Sequence, residues 1–356
     1  MTDGAAVVAD APGRINIIGE HTDYHGGYVL PTVIPQRTTA ELRLIPAGAV
    51  RVISAMDDSG PHEYELGRET RGRGWLDYIQ GITFVLARDG FTLRPFEVRI
   101  SSTVPVGAGV SSSAALEVSV LRALRRALDL PMDDVALARI AQQAETDFVG
   151  VPVGIMDQLA ASLGRDGEAL FIDTRSLAVE RVPLPHSMRL LAIDSGVTHA
   201  HAGGGYLIRR RESFEAAAQL GVSSLRDLDE TALDTLATLP PVLARRARHV
   251  ITENARVLAA VAALRNDEVA TLGALCNASH TSMRIDYEIS TTEIDRLVEI
   301  ANARPEVCGA RMTGGGFGGT VIAIATMRAN RATAQAIADA YRLETGRHAV
   351  ALEPPD

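Results

Sequence analysis

Five glycines in six positions, Gly314-Gly315-Gly316-Phe317-Gly318-Gly319, stand just before the apolar run Val321-Ile322-Ala323-Ile324-Ala325. Glycine loses more backbone freedom on folding than any other residue, so a run this dense opposes folding unless the backbone must pass very close to something. A flexible surface linker is the alternative, and the strand-like run on its C-terminal side argues against it. The segment suits close approach of backbone to a ligand or to another loop.

A second glycine-led segment is Val104-Pro105-Val106-Gly107-Ala108-Gly109-Val110-Ser111-Ser112-Ser113-Ala114-Ala115-Leu116. Gly107 and Gly109 lead into Ser111, Ser112 and Ser113, then into apolar residues at helical spacing. Free backbone N–H groups, the positive end of a helix and hydroxyls would converge there on an anion. An ordinary loop with a serine N-cap is the competing reading. Composition bears on the choice. All 35 basic residues are arginine, against 44 acidic residues and a net charge of −9. A chain without lysine cannot be a Walker-A NTPase, a protein kinase with a strand-borne lysine, or a Schiff-base enzyme. Anions must be met by arginine, backbone N–H groups, helix N-termini or a metal, which favours phosphate at the serine run.

Two further segments carry chemistry. In Ala11-Pro12-Gly13-Arg14-Ile15-Asn16-Ile17-Ile18-Gly19-Glu20-His21-Thr22-Asp23-Tyr24 a short strand runs into Glu20, His21 and Asp23. Three hydrogen-bonding side chains after Gly19 read as a binding loop. A polar surface turn is the bland alternative, and a metal site a third, although the spacing matches no zinc pattern. In Gly150-Val151-Pro152-Val153-Gly154-Ile155-Met156-Asp157-Gln158 one carboxylate opens a helix, and taken alone it reads as an N-cap. Glu145, near the end of the preceding helix, would ordinarily be a solvated face residue.

Length favours two domains, since single cores stop growing near ~250–300 residues. Alternation at Ala40, Leu42 and Leu44 and at Phe96, Val98 and Ile100 predicts strands. Helical spacing is seen from Trp75 to Leu86, at Leu116–Leu128, at Val135–Ala144 and at Ala244–Leu264. A strand at Leu190–Ile193 and a strand–helix pair from Val321 complete an α+β pattern without strict βαβ alternation. The stretch Val182-Pro183-Leu184-Pro185 is the expected boundary, giving domains 1–182 and 183–356. The acidic balance argues against nucleic acid, and no apolar run approaches the ~20 residues of a membrane span. Two cysteines fit a reducing compartment, and the start Met1-Thr2-Asp3-Gly4 lacks the features of a signal peptide. A cytoplasmic protein, expected to be a monomer, follows.

In this order the four segments resemble the galactokinases of the GHMP small-molecule kinase superfamily. Pro12–Tyr24 looks like the galactokinase-specific motif, Val104–Ala115 like the superfamily ATP-binding loop, and Met312–Gly319 like its third motif. Further likeness at Trp75–Gly81, Arg248–Val257 and Ser279–Glu288 extends it over nearly the whole chain. The resemblance implies a ribosomal-protein-S5-like N-terminal domain and a ferredoxin-like C-terminal domain. It implies transfer of the γ-phosphate of ATP to the anomeric 1-hydroxyl of galactose, with Mg2+ as cofactor and a small-molecule sugar as partner. Residue by residue, Asp157 matches the catalytic aspartate and Arg14 its partner. Glu20, His21, Asp23, Gly154 and Tyr206 match positions that hold the sugar. Ser113 and Glu145 match magnesium ligands, and Trp75 a residue packed near the adenine. Gly107, Gly109, Ser111, Ser112 and Ser113 fall in the nucleotide loop.

Departures cluster in one loop. The family usually has asparagine where Gly196 stands, a cation where Thr198 stands, and polar residues where Gly205 and Leu207 stand; the segment from 46 to 75 is also shorter. A kinase for another or larger galactose-like sugar is therefore an alternative. A metal pair at His199 and His201 is the less favoured reading of that loop. A non-catalytic sugar sensor is the alternative of another class, opposed by the intact Ser113, Ala114, Ala115 and Asp157.

Overall fold

The structure, a computed structural model, describes residues 5–197 and 202–352, with the side chains of Ala202 and Gly203 left aside. Thr198, His199 and His201 lie outside the described residues. Contacts divide the chain into two compact units: 1–14, 33–105 and 111–164 form the first, and 15–32, 106–110 and 165–356 the second.

In the first unit the strand Pro31–Leu44, from Val33 onward, pairs antiparallel with Phe96–Ser102, with Ala40 facing Ile100 and Leu42 facing Val98. Phe96–Ser102 pairs parallel with Val50–Ser54, which pairs antiparallel with His62–Tyr64. Val7–Asn16 pairs with Pro31–Leu44. The predicted alternation is realised: Ala40, Leu42, Phe96, Val98 and Ile100 are buried in one core with Ile79, Ile82, Leu121, Leu124 and Leu137 from the helices. These helices are Leu76–Arg88, Ser112–Leu128, Asp134–Gln143 and Met156–Leu163. Ala144–Val149 forms a π-helical turn that carries Glu145, so Glu145 is in a wide turn of a kind found often at functional sites.

The second unit contains a four-stranded antiparallel sheet in the order Val307–Thr313, Thr320–Thr326, Met188–Asp194, Val350–Ala351. Helices Pro241–Arg265, Thr292–Asn302 and Arg331–Thr345 contribute Val250, Ile251, Ile294, Leu297, Ile337 and Tyr341 to its core. The predicted helix at Ala244–Leu264 and the last strand–helix pair are both present. The glycine run joins the edge strand Val307–Thr313 to the inner strand Thr320–Thr326. Gly316 shows why glycine is needed: at φ +92 a Cβ would lie 2.6 Å from Ile289.

A hairpin of Glu168–Asp173 and Ala178–Pro183 also belongs to this unit. Val182 and Pro183 thus stand in a strand, pairing with Ala169 and Glu168. Compactness divides the chain after residue 164, whereas the composition-based boundary was placed at 182/183. Among the described residues no helix is long and apolar enough to cross a membrane.

Candidate active site

Arg14 lies near the end of Val7–Asn16, and Asp157 in the first turn of Met156–Leu163. The buried guanidinium donates from Nε to Asp157 Oδ1 at 2.7 Å and from Nη2 to Oδ2 at 2.6 Å. Ser111 adds a third bond, from its hydroxyl to Oδ2 at 2.5 Å. Neither residue makes the side-chain capping bond that its sequence context suggests. Ser111 does sit at the N-cap of Ser112–Leu128, but with φ 62 and no side-chain cap bond. That left-handed backbone turns its hydroxyl to Asp157, leaving the helix N-terminus without a side-chain cap. Bidentate pairing fixes the carboxylate plane as a single bond would not.

Glu145 is buried, and its Oε2 accepts from the Gln158 amide at 2.9 Å. Its Oε1 lies 3.5 Å from the Ser113 hydroxyl. Burial and then the charge of Asp157 push its carboxyl up to about 8. This is no solvated face residue. Gly154 is buried in the turn that leads to Asp157. Trp75 immediately precedes Leu76–Arg88, half-buried, with its indole N–H donating to Asp57 at 2.8 Å.

Of the nucleotide loop, residues 106–110 belong to the second unit. Gly107 and Gly109 both have positive φ. The Thr320 hydroxyl donates to Ala108 O at 2.8 Å. A Cβ on Gly314 would stand 2.8 Å from Gly109 O. The two glycine loops are thus in close backbone contact, the second of the two uses foreseen for the glycine run.

Also in the second unit, Glu20 is buried and its Oε1 accepts from Gly314 N at 2.8 Å and the Thr313 hydroxyl at 3.1 Å. Arg311 stands 3.5 Å away. His21 takes φ 61. Its Nε2 lies 3.2 Å from Gly315 O and its Nδ1 2.9 Å from the Tyr24 hydroxyl. Burial lowers its pKa to about 3, so the ring is neutral. Since a carbonyl can only accept, Nε2 carries the proton and Nδ1 accepts from Tyr24. The Tyr24 oxygen in turn meets the Tyr287 hydroxyl at 2.7 Å. The Tyr206 ring, on helix Ala202–Gln219, is 5.3 Å from the His21 ring. Asp23 opens the short turn Asp23–His25, and its Oδ1 accepts from the Tyr24 N–H at 2.8 Å.

Several residues here were missed by sequence reasoning. Fully buried Glu253 accepts from Gly19 N at 2.9 Å and from the Ser279 hydroxyl at 2.7 Å. Burial works against its charge, but Arg256, His249 and Arg311 outweigh it and hold its carboxyl down at about 2. His249 Nε2 meets Glu20 O at 3.1 Å. Arg311, also fully buried, donates to Ile17 O at 2.9 Å and Asn16 O at 3.1 Å. The available signal was His249 and Glu253 at i, i+4 beside Val250 and Val257, two polar residues on an apolar helix face.

Two departures from the family pattern have packing causes. A Cβ on Gly196 would lie 2.3 Å from His348 O, and one on Gly205 2.6 Å from the Phe317 ring.

Comparison with known proteins places the chain in a family. The GHMP kinases N terminal domain matches residues 77–165, the GHMP kinases C terminal domain 260–347, and the galactokinase galactose-binding signature 2–44. The galactokinase of Chloroflexus aurantiacus is 42% identical over 349 residues, covering 96% of this chain and 89% of the relative.

The chain belongs to the galactokinase family of GHMP kinases.

The Mycobacterium tuberculosis galactokinase is 44% identical over 321 residues, covering 88% of this chain and 87% of its own. The crystal structure of Lactococcus lactis galactokinase complexed with galactose superimposes with a TM-score of 0.93 at 33% identity, over 97% of this chain and 92% of that one. The galactokinase signature spans Arg14, Glu20, His21 and Asp23, and Asp157 falls within the N-terminal GHMP match.

Proposed function

We propose that the protein transfers the γ-phosphoryl group of ATP to the anomeric 1-hydroxyl of galactose, giving galactose 1-phosphate and ADP. The observation that carries this reading is the Asp157 carboxylate held by Arg14 and Ser111 in a chain of the galactokinase family.

In-line phosphoryl transfer depends on positioning and on charge more than on covalent help. Asp157 Oδ2 accepts from Arg14 and Ser111, and Oδ1 from Arg14. A carboxylate has about four acceptor sites, so Oδ1 keeps room for the proton of the sugar hydroxyl. Asp157 is the base in this reading, and Arg14 and Ser111 aim it. Glu20, Asp23, Gly154 and Tyr206 would hold the sugar. His21 contributes by shape and orientation, since both of its ring nitrogens have protein partners. Gly107, Gly109, Ser112 and Ser113, with the uncapped helix N-terminus, would receive phosphate, and Trp75 would pack beside the adenine.

Ser113 and Glu145 fit a magnesium ion. Both offer hard oxygens, and the raised proton affinity of buried Glu145 marks a corner short of positive charge. Among the described residues no group of three or more His, Cys, Asp or Glu could hold a metal, and magnesium in kinases is carried largely by nucleotide phosphates. When bound, magnesium neutralises charge on the phosphate oxygens.

The test is sugar-dependent ADP release with galactose, other hexoses and larger sugars bearing a free C1 hydroxyl. Turnover with galactose is expected. No turnover with any sugar would remove the kinase reading, and turnover with another sugar alone would remove only galactose.

A further inference from the structure

Trp75 is the only tryptophan of the chain, and an indole has a single donor, its Nε1–H, and no acceptor. That donor is already engaged. It donates to Asp57 Oδ2 at 2.8 Å, and His62 Nε2 reaches the same oxygen at 2.8 Å. The His62 ring also stands nearly perpendicular to the indole, with centroids 5.5 Å apart and planes at 83°.

Asp57 lies in the loop between the paired strands Val50–Ser54 and His62–Tyr64. Its Oδ1 accepts from the Ser59 N–H at 2.9 Å and from the Ser59 hydroxyl at 2.6 Å. An aspartate that only shapes a turn needs such local bonds alone. Oδ2 reaches further, to residues 5 and 18 positions along the chain. The donors from Ser59, then His62 and Trp75, hold the Asp57 carboxyl well below the usual carboxylate range. The indole is therefore bonded to an anion, a stronger tie than a neutral acceptor gives. Backbone beside the ring is fixed separately, since the Gly72 and Arg73 N–H groups donate to buried Asp77 at 2.6 and 3.0 Å. Half-buried and packed against the core of the first unit, the indole keeps open surface in a set orientation.

We propose that Asp57, with His62, locks the Trp75 indole in the orientation in which it packs against adenine, so that Trp75 meets the base with its ring and not with its N–H. Asp57 and His62 act through the ring, as positioning residues. A ring ordered before the nucleotide arrives removes the cost of ordering one side chain on binding, equivalent to about 2- to 10-fold in affinity. The inference rests on the reading of Trp75 as the neighbour of adenine.

The experiment is a double-mutant cycle on the KM for ATP, with kcat and the KM for galactose followed alongside. Asp57→Ala should raise the KM for ATP by about 2- to 10-fold with kcat kept, and Asp57→Asn, which retains one side-chain oxygen, by less. In a Trp75→Phe background, where there is no N–H to hold, Asp57→Ala should add nothing. Time-resolved fluorescence anisotropy reads the sole tryptophan directly. Asp57→Ala should give its ring a fast motion, in the nanosecond range or below, that wild type lacks; an indole as still as in wild type would contradict the proposal. An equal rise in KM in both backgrounds would show that Asp57 acts on the loop and not through the indole, and overturns the inference. An unchanged KM for ATP in whichever Asp57 variant folds, with a rise in Trp75→Ala, overturns it and leaves the adenine reading standing. An unchanged KM in Trp75→Ala overturns both.

Discussion

The two units bury charge in opposite ways. In the first, Glu117 and Glu145 are desolvated without enough positive charge to match them, and both carboxyls are raised. In the second, Glu20 and Glu253 meet Arg311, Glu253 also meets Arg256, and His21 and His249 are neutral. The second network is closed within the protein and holds a fixed hydrogen-bonding surface; the first is open and suits completion by ligand charge. Burial alone therefore does not identify a catalytic carboxylate. What distinguishes the two is whether the protein itself supplies the counter-charge.

The largest expected effect breaks the chemistry of the first unit. Asp157→Ala should lower kcat by roughly 10²–10⁴-fold, the usual span for general-base assistance, while the KM for galactose changes far less. Steady-state ADP release measures both, and a kcat within threefold of wild type would remove Asp157 as the base.

Next comes the closed network. Arg311→Met should destabilise the fold by about 3–5 kcal/mol, because it strands buried carboxylates. Urea unfolding measures it, and a loss below about 1 kcal/mol would show that Glu20 and Glu253 are neutral or otherwise compensated.

The pH dependence then separates the regions. His21 falls from 6.5 to about 3 and His249 to about 4, both chiefly by burial. Between these values and 6.5 the unfolded chain binds more protons, so their contribution is complete above pH 6.5 and is lost as pH falls toward 3. Glu145 has the reverse sign. With its carboxyl raised from 4.5 to about 8, the folded state binds more protons, and its contribution, present below pH 4.5, is lost as pH rises to 8. In chelator, Glu145→Gln should therefore stabilise the protein at pH 8, by up to a few kcal/mol, and do little at pH 4.5. Unfolding curves across that range check it; equal effects at both ends would contradict the assignment.

The smallest effect concerns Gly205, next to Tyr206 of the proposed sugar site. Gly205→Ala places a methyl against Phe317, and overpacking of this kind costs about 1–3 kcal/mol. It should raise the KM for galactose several-fold with kcat nearly kept. A fall in kcat alone would place Gly205 in the chemistry instead.

Much of this was legible in sequence because the motifs are local. Serine run, glycine run and alternating strands are each read within about a dozen residues, and their elements formed where periodicity placed them. Partners were not legible. Ser111 looks like an N-cap until a residue 46 positions away claims its hydroxyl. Glu20 reads as a free acceptor until Gly314, 294 positions on, donates to it. Glu117 sits within an ordinary amphipathic pattern, and only three-dimensional neighbours reveal its missing counter-charge. The Val182-Pro183 stretch looked like a linker because proline marks turns; at the end of a hairpin strand it is equally at home.

The central claim, phosphoryl transfer to the anomeric hydroxyl, is tested most directly by the product. Phosphorus NMR of the reaction of wild-type protein with ATP and galactose should show one new phosphomonoester coupled to the anomeric proton, with the sugar no longer reducing. A phosphate coupled to the C6 protons, on a sugar that still reduces, would contradict the account.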